Sequence, residues 1–350
     1  MAKHQVDELV ARCYAGLDAG SLRQEVLSRL RRLVPVDAAF FAAVDPATLL
    51  FTSALVEDPL PVASELFLEN EFDRGDVNKF CVIARSEEPV TTLDQATGGD
   101  RRASSRYLEI MAPLGLGDEL RAALMSRGRC WGVMCLHRGD SPSGFTEPEV
   151  NLIRSVAPHI GEGFRRALLS QAEPPSQTLV AGPGVVVLNE DLSVSSLNPQ
   201  AEHWLAELGA GQPQTRADLP LPLHAAARAL LETTGRELES SPTIRLRTTG
   251  GEWITVYASP MRSPAGMQTS LVLERARPMQ MASLFLDAHG LTPAQHRVAT
   301  LVLQGLSTRQ IVNELKISSH TVQEHLGVVF ERFGIGSRRE LVATLLGRAS

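Results

Sequence analysis

The stretch that decides the fold of the C-terminal part of this chain is STRQIVNELKISSHTVQEHLGVVFERFG, residues 307–334. Ser307–Gln310 is typical of a capping box. In this motif a Ser oxygen accepts a hydrogen bond from a backbone amide of the first turn, and the Gln side chain accepts one from the backbone amide of the Ser, so the motif predicts the start of a helix. Lys316–Ser318 predicts a turn, and a longer helix from about Ser319 to Phe333 ends at Gly334. Two short helices joined by a three-residue turn are typical of a helix-turn-helix.

The flanking residues extend this pattern to four helices. Thr292–Gln295 is a second capping box whose helix ends at Gly305, and Ser337–Glu340 starts a fourth helix. The apolar residues expected inside this unit are Val298, Leu301, Val302, Ile311, Val312, Leu315, Val322, Leu326, Val329, Phe330, Leu341, Val342 and Leu345. A small structural bundle is the alternative interpretation.

Four short motifs connect this segment to a known family. They are L-T-P at 291–293, Q-G-L-S at 304–307, S-x-x-T-V-x-x-H-L at 318–326 and G-x-x-S-R at 334–338. Residues 291–350 therefore resemble the LuxR-type DNA-binding domain of bacterial regulators. The resemblance implies an all-α four-helix domain that places its third helix in the major groove of DNA.

The resemblance implies base-reading positions on the third helix at Gln323, Glu324, Gly327 and His320. The family usually has a Lys or Arg where this chain has Gln323, and an acidic residue where it has Gln295. Gln pairs with adenine and Glu accepts from cytosine N4, so we expect an altered target preference and weaker nonspecific affinity.

Phosphate contacts are expected from side chains that offer donors at helix ends or along the presumed DNA face. These candidates are Thr321, His325, Lys316, Arg309, Ser319, Arg338 and Arg339. For each of them, a plain solvated surface residue is the alternative.

Charge is divided unevenly along the chain. The net charge is −6, but residues 291–350 hold seven Lys and Arg against four Glu, a balance of +3 that leaves −9 for residues 1–290. A domain with so small a positive charge binds DNA weakly alone, because nonspecific affinity comes from neutralised phosphates. We therefore expect a homodimer that reads a roughly palindromic site in double-stranded DNA.

The N-terminal half mixes helix and strand patterns. Helical patterns occupy residues 4–34, and the apolar runs Ala38–Val44 and Leu49–Val56 predict a hairpin around Asp45-Pro46. Residues 61–120 carry no clear pattern. Two more antiparallel strands are predicted at Ala122–Met125 and Cys130–His137, around Arg127-Gly128-Arg129.

A capping box at Thr146–Glu149 predicts a long helix with one buried face. That face would pack on its own sheet or against a second subunit, through Leu152, Ile153, Val156, Ile160, Phe164 and Leu168. With the preceding strands and Gly144-Phe145-Thr146 leading into the helix, residues 20–170 resemble a GAF domain. The resemblance implies an α+β small-molecule sensor or dimerisation platform.

The middle of the chain predicts a second α+β unit. Val185–Leu188 is a strand, a turn follows at 189–191, and Asn198-Pro199-x-Ala201 enters a helix, so the segment resembles a PAS domain. Further strands are predicted at Thr243–Arg247, Trp253–Ala258 and Ser270–Glu274. No internal repeat is evident.

At 350 residues the chain has room for about three domains of ordinary size. We predict a GAF-like domain over 1–171, a linker over 172–182, a PAS-like domain over 183–276, a connecting helix over 277–290 and the helix-turn-helix domain over 291–350. A ligand in the GAF-like pocket would change the helices at 147–170 and 277–288 and so reposition the DNA-binding domains.

The ligand has only weak candidates in the sequence. Cys130 and Cys135 are five residues apart on a strand and should face opposite sides of the sheet, which excludes a disulfide or a shared metal. Trp131 and His137 should share a face with Cys135 and could line a pocket, although a packed sheet face explains them equally well. Haem bound through a lone His is a remote alternative. We predict no metal and no cofactor.

Enzyme signatures are absent from the sequence: it contains no H-E-x-x-H, no Walker loop and no G-x-S-x-G. No apolar run is long enough to span a membrane, so we expect a cytoplasmic protein. A signal-controlled transcriptional regulator is the function that these features favour, with RNA polymerase as a further partner. Two alternatives are an interaction hub and a ligand-processing GAF-type protein, each acting on partners without binding DNA.

Overall fold

The computed structural model describes residues 2–139, 144–170, 182–209, 219–233, 242–264 and 266–347. The chain begins with two helices, α1 (Ala2–Cys13) and α2 (Ala19–Leu30). Asp18 begins α2, because its carboxylate accepts the amides of Gly20 and Ser21 at 2.8 and 3.0 Å. Both helical patterns predicted over residues 4–34 are confirmed.

An antiparallel sheet follows the two helices. Its strands are β1 (Ala38–Val44), β2 (Phe51–Val56), β3 (Val90–Thr92), β4 (Leu116–Ser126) and β5 (Arg129–Gly139), in the order β2-β1-β5-β4-β3. The predicted hairpins β1–β2 and β4–β5 are both present. Arg127 and Gly128 have φ of 51° and 74°, which suits the tight turn of a twisted hairpin.

The segment left unassigned by the sequence forms short helices on one face of this sheet. They are α3 (Ser64–Phe72), α4 (Phe80–Ile83) and α5 (Leu93–Thr97), followed by one turn of π-helix at Tyr107–Met111. Their buried side chains pack with those of β1 and β5 on that face.

The opposite face is covered by α6 (Glu147–Ser170), together with α1 and α2. The apolar stripe of α6 therefore packs on its own domain, which settles the choice that the sequence left open. At Gly161 the helix lies so close to β4 that an added Cβ would be 2.6 Å from the carbonyl oxygen of Leu124. The capping box is half formed: Glu149 accepts the Thr146 amide at 2.8 Å, but the Thr146 hydroxyl donates to the same carboxylate.

A second sheet lies in the middle of the chain. Its elements are β6 (Gly184–Leu188), β7 (Val194–Leu197), α7 (Pro199–Glu207), α8 (Leu221–Thr233), β8 (Thr243–Arg247), β9 (Trp253–Ser263) and β10 (Gly266–Arg275). The strand order β7-β6-β10-β9-β8 repeats that of the first sheet, a similarity that no sequence repeat disclosed. Helix α8 was not predicted, and the linker predicted over 172–182 lies outside the described residues except for Gly182.

Five helices complete the chain. After α9 (Pro278–Ala288) come α10 (Pro293–Leu303), α11 (Thr308–Leu315), α12 (Ser319–Phe333) and α13 (Arg338–Leu346), which confirms the predicted four-helix pattern. The capping boxes at Thr292 and Ser307 are both formed, and Gly334 ends α12 with φ of 64°. In the described part of the chain, no helix combines the length and apolar character that crossing a membrane requires.

Helix α9 connects all three parts of the molecule. Seven of its residues are buried, and it packs against α6 of the first domain and against α10 and α13. Its Gln280 also accepts a hydrogen bond from Thr255 of β9, at 3.2 Å. As a result, one apolar cluster runs from the helix face of the first domain through α9 into the C-terminal helices.

Candidate nucleic-acid interface and sensor pocket

Helix α12 has one buried and one exposed face. Val322, Leu326 and Val329 are buried in the C-terminal core. The four predicted base-reading residues are all exposed: His320, Gln323, Glu324 and Gly327. His320 and Glu324 lie one turn apart, with Nε2 and Oε1 3.4 Å from each other. The face that the sequence assigned to DNA is therefore uncovered and polar.

The N-terminal end of α12 is capped by Ser318. Its hydroxyl accepts the amide of Thr321 at 3.0 Å and lies 2.9 Å from the Thr321 hydroxyl. Ser319 is exposed at the first position of the helix. A helix N-terminus carries partial positive charge, so this end suits an approach to phosphate.

Lys316 occupies the turn between α11 and α12 in a left-handed conformation, with φ of 53° and ψ of 44°. Its side chain is exposed, as are those of Arg309 and Arg339, whereas His325 is half-buried. A left-handed Lys carries a conformational cost that Gly would not. The position therefore combines a backbone strain with a cation at the rim of the candidate interface.

Arg338 differs from the other phosphate candidates. It is half-buried, its guanidinium donates to the carbonyl of Leu306, and burial lowers the pKa of Arg338. This bond ties the start of α13 to the connection between α10 and α11. Arg338 thus holds the four-helix unit together in this arrangement.

Arg332 makes a contact between helices that the sequence did not predict. From the last turn of α12 it donates to the carbonyls of His289 and Gly290, at 3.1 and 2.6 Å. The imidazole of His289 stacks on Phe333 with ring centroids 3.7 Å apart. Helix α12 is thereby joined to the residues that follow α9, and this contact could not be predicted because it depends on how the helices pack in three dimensions.

The predicted faces of β5 need correction. Leu124 pairs with Gly132 but Met125 pairs with Cys130, so β5 carries one extra residue at a β-bulge. Cys130 and Cys135 consequently pack on the same side of the sheet, not on opposite sides. Trp131 lies on the other side, which α6 covers, and not with Cys135. Both thiols are unbridged.

His137 lies on the same face of the sheet as Cys135, as predicted, next to a buried network of charged side chains. The Oε2 atom of Glu119 lies 2.8 Å from Arg106 and 3.1 Å from Arg121, and Arg121 also binds Glu71 at 2.6 Å. Burial alone would raise the pKa of Glu119, but Arg106 and Arg121 outweigh it and hold that pKa far below its ordinary value. Burial lowers the pKa of His137 to about 4, against the opposing effect of Glu119.

This network lies in the interior of the first domain, between the sheet and the short helices that cover one of its faces. The cavity beside Glu119 and His137 has a volume of about 20 Å³, which is on the scale of one water molecule. The Oε1 atom of Glu119 and the Nδ1 atom of His137 have no hydrogen-bond partner among the described residues. A haem does not fit into a space of this size.

Glu119, Cys135 and His137 offer ligand atoms within 4.8 Å of one another. Their surroundings do not suit a cation, because two guanidinium groups already neutralise Glu119. Burial also raises the pKa of Cys135 well above its ordinary value, which disfavours the thiolate that a metal requires. The cluster is better described as an internal ion-pair network.

Family comparisons assign two parts of the chain. Residues 18–164 match the GAF domain, and residues 289–345 match the bacterial regulatory proteins of the LuxR family. The residues between these two matches include the whole second sheet.

Curated relatives match only the C-terminal part. Proteins of Mycobacterium bovis and Mycobacterium tuberculosis, whose names describe them provisionally as HTH-type transcriptional regulators, are 42% identical over 60 residues. The match covers 17% of this chain and 7% of each relative.

Solved structures show low identity. The GAF domain of an Acinetobacter phosphoenolpyruvate-protein phosphotransferase is 14% identical with a TM-score of 0.34, covering 47% of this chain and 93% of that one. The VqsR LBD domain of Pseudomonas aeruginosa is 17% identical with a TM-score of 0.33, covering 47% of this chain and 96% of that one. The two family matches show that the chain carries an N-terminal GAF domain and a C-terminal helix-turn-helix domain of the LuxR family of bacterial regulatory proteins.

Proposed function

We propose that this protein is a transcriptional regulator that binds double-stranded DNA through α12 under the control of a small-molecule signal. The exposed polar face of α12, with Gln323 and Glu324 at its centre, is the observation that carries the proposal. Nothing in the described residues covers that face. The match of residues 289–345 to a DNA-binding family supports it.

The rest of the chain would supply control. The GAF domain is of a class that senses small molecules, and the second sheet would act as a PAS-like sensor or spacer, which its five antiparallel strands and flanking helices support. The packing of α9 against both α6 and α10 gives a physical route between the signal and the DNA-binding helices. The regulator would act in the cytoplasm and not as an enzyme.

A homodimer would read a roughly palindromic site. The C-terminal domain has a balance of only +3 over residues 291–350. Two recognition helices on a two-fold axis would double the number of phosphates neutralised and so strengthen binding. Contact with RNA polymerase would follow once the dimer is on its site.

Selection from a random DNA library with the full-length protein tests the proposal. We expect enrichment of one inverted repeat, with half-sites about one helical turn apart, and an affinity that falls steeply with salt. Native mass spectrometry of the protein–DNA complex should give two chains per duplex. If no sequence is enriched and affinity does not change with salt, the protein is a partner-binding hub or a ligand-processing protein instead.

A further inference from the structure

An open cleft lies between the GAF domain and the C-terminal helices. The last turn of α6 and Arg127, at the tip of the β4–β5 hairpin, line one side, and Arg332 of α12 and His289, which follows α9, line the other. The cleft has a volume of about 770 Å³, within the range of roughly 300 to 1,000 Å³ that is usual for small-molecule sites. It shares no lining residue with the small cavity beside Glu119 and His137.

Four guanidinium groups line this cleft, and one carboxylate lies beside them. The four are Arg127, Arg165, Arg166 and Arg332, and among the described residues only Glu162 lies within ion-pair distance of any of them. Arg165 occupies both oxygens of Glu162, at 2.6 and 2.8 Å. Arg127 and Arg166 are 3.9 and 3.8 Å from that carboxylate, which is too far for a hydrogen bond. The cleft therefore has an excess of three positive charges.

The other contacts of these arginines do not neutralise that charge. Arg332 donates to two backbone carbonyls of the residues that follow α9, and Arg166 donates to the carbonyl of Tyr14 at 3.3 Å. A carbonyl oxygen accepts a hydrogen bond but brings no net charge. Within the described part of the chain, the polar contact of Arg127 is the long one with Glu162.

Two of the cations lie close together across the domain boundary. The Nη1 atoms of Arg127 and Arg332 are 3.2 and 3.0 Å from one point, the position that a Cβ on Gly290 would take. They are thus no more than about 6 Å apart, and positive charges at that separation repel each other. Both side chains are exposed, so a ligand can reach them. An anion between them would accept hydrogen bonds from both domains and remove the repulsion.

The number and the arrangement of the charges favour a phosphate group over a carboxylate. A carboxylate has one negative charge and two oxygens, which one guanidinium group can satisfy in a bidentate pair. A phosphate group has about two negative charges and three acceptor oxygens. It can therefore bind guanidinium groups that approach from different elements, as they do in this cleft.

We propose that the cleft binds a small molecule that carries one or two phosphate groups. Arg127 and Arg166 would hold the phosphate from the GAF domain, and Arg332 would hold it from α12. A bound molecule would then bridge the two domains and favour the arrangement in which α9 packs against α6. The binding itself does not depend on the proposed function, and only its effect on DNA rests on that function.

Titration of the full-length protein with inorganic pyrophosphate tests the site directly. At an ionic strength of about 0.15 M, where weak surface attractions are largely screened, we expect saturable heat in calorimetry. Acetate at equal ionic strength should bind at least about tenfold more weakly, because it lacks the second charge and the third oxygen. The absence of saturable pyrophosphate binding would overturn the site, and equal binding of acetate would overturn the choice of phosphate.

Matched variants locate the binding. Arg127→Gln and Arg166→Gln each remove one exposed cation of the cleft and should each reduce pyrophosphate affinity by about tenfold or more. Arg262→Gln makes the same change at an exposed position of β9 that does not line the cleft, and should have no effect. An equal loss in all three variants would show that pyrophosphate responds to overall charge, and would contradict the proposal.

Hydrogen exchange measures whether the bound molecule joins the two domains. Saturating pyrophosphate should slow the exchange of the amides of residues 284–292 by about tenfold or more, because it stabilises the packed arrangement. Arg127→Gln at the same pyrophosphate concentration should show a smaller effect. If pyrophosphate binds the unaltered protein and leaves this exchange unchanged, the bridging part of the proposal is wrong.

The effect on DNA is measured separately. Saturating pyrophosphate should change the DNA affinity of the unaltered protein by about fivefold or more, and Arg127→Gln should bind DNA with the same salt slope but without this response. A lower salt slope in Arg127→Gln would assign the cleft to the phosphates of DNA and contradict a small-molecule site. If pyrophosphate binds and DNA does not, the proposed function fails while the site stands. If DNA binds and pyrophosphate does not, the site fails while the proposed function stands.

Discussion

The guanidinium of Arg129 lies 2.9 Å from the carboxylate of Asp287. Arg129 starts the second strand of the β4–β5 hairpin, and Asp287 is nearly the last residue of α9. The pair therefore joins the GAF domain to the helix that leads into the helix-turn-helix domain. Arg165 of α6 reinforces it by donating to the carbonyl of Ala288. Asp287 also lies 3.7 Å from His296 of α10, which brings the C-terminal domain into the same contact.

The double variant Arg129→Ala and Arg165→Ala should loosen this docking. Each change removes a charged hydrogen bond to a buried acceptor, a loss of about 1.5 to 3 kcal/mol per bond. We expect the amides of residues 284–292 to exchange hydrogen at least tenfold faster, measured by mass spectrometry. The exposed Arg262→Ala is the control, and unchanged exchange in the double variant would show that apolar packing alone holds α9.

Gln323→Ala and Glu324→Ala should each reduce sequence-specific affinity. Loss of one base contact costs about 1 to 3 kcal/mol, while the slope of affinity against salt should stay the same because no phosphate contact is removed. Binding curves on the selected site at several salt concentrations measure both quantities. Glu331→Ala, exposed one turn beyond Gly327 on α12, should leave both unchanged; a changed salt slope in the Gln323 variant would assign it to the phosphate backbone.

Lys316→Gly should have opposite effects on stability and on DNA binding. It relieves a left-handed conformation that costs about 1 kcal/mol, but it removes a cation and should lower the salt slope by about 0.9. Thermal unfolding and salt-dependent binding measure the two effects. Arg309→Gln removes a charge without a backbone change and should affect only the salt slope. A lower melting temperature for Lys316→Gly would contradict the conclusion that the left-handed backbone at Lys316 is strained.

Two Gly-to-Ala changes should differ in sign. Gly161→Ala pushes a methyl group against the backbone of Leu124 and should destabilise the protein by about 1 to 3 kcal/mol. Gly327→Ala meets no atom within 4 Å and should stabilise α12 by about 1 kcal/mol. Denaturant unfolding measures both, and a neutral Gly161→Ala would mean that α6 can move away from the sheet.

His137 should make stability depend on pH. Its pKa falls from an ordinary 6.5 to about 4 in the folded protein, so between these values the unfolded chain binds more protons. The free energy of unfolding should fall as pH drops from 6.5 to 4, by up to about 3 kcal/mol. Glu119, Arg106 and Arg121 face the imidazole, and the low pKa of Glu119 adds a further loss only below about 4.5.

The control for this effect is His137→Gln, which keeps a polar side chain but does not titrate. Unfolding by urea at pH 7, 6, 5 and 4.5 should show a smaller loss of stability in this variant than in the unaltered protein. Identical pH dependence of the two proteins would show that His137 does not titrate in this range.

Local chemistry made the C-terminal helices predictable. The boxes at Thr292 and Ser307 act over three residues, and the apolar spacing of α12 is set within one helix, so each signal is present in a short stretch of sequence. The pairing of Arg106 with Glu119 and the short helices over 61–120 depend on residues brought together by the sheet. No local pattern records such contacts.

The site was predictable to the same extent. The exposure of Gln323 and Glu324 follows from helical spacing alone, and it is confirmed. The prediction that Trp131 shares a face with Cys135 was wrong, because one extra residue in β5 reverses the alternation of side chains between the two faces. The sequence Cys130-Trp131-Gly132 contains no signal that indicates a bulge. The contact of Arg332 with the end of α9 joins residues more than forty positions apart.

The shared apolar cluster of α6, α9 and α10 determines which segment of this protein can be exchanged with related proteins as a unit. Family similarity begins at residue 289, yet Met281, Leu284 and Phe285 bury their side chains in the same cluster as Val298 and Val302. In a chimera joined at residue 289, the transplanted helices would lose their packing against α9 of this protein and would contact residues of the other protein instead. A chimera joined at residue 277 would include α9 and keep this contact. We therefore expect the unit that can be exchanged between proteins to be the five helices α9 to α13, and not the last four alone.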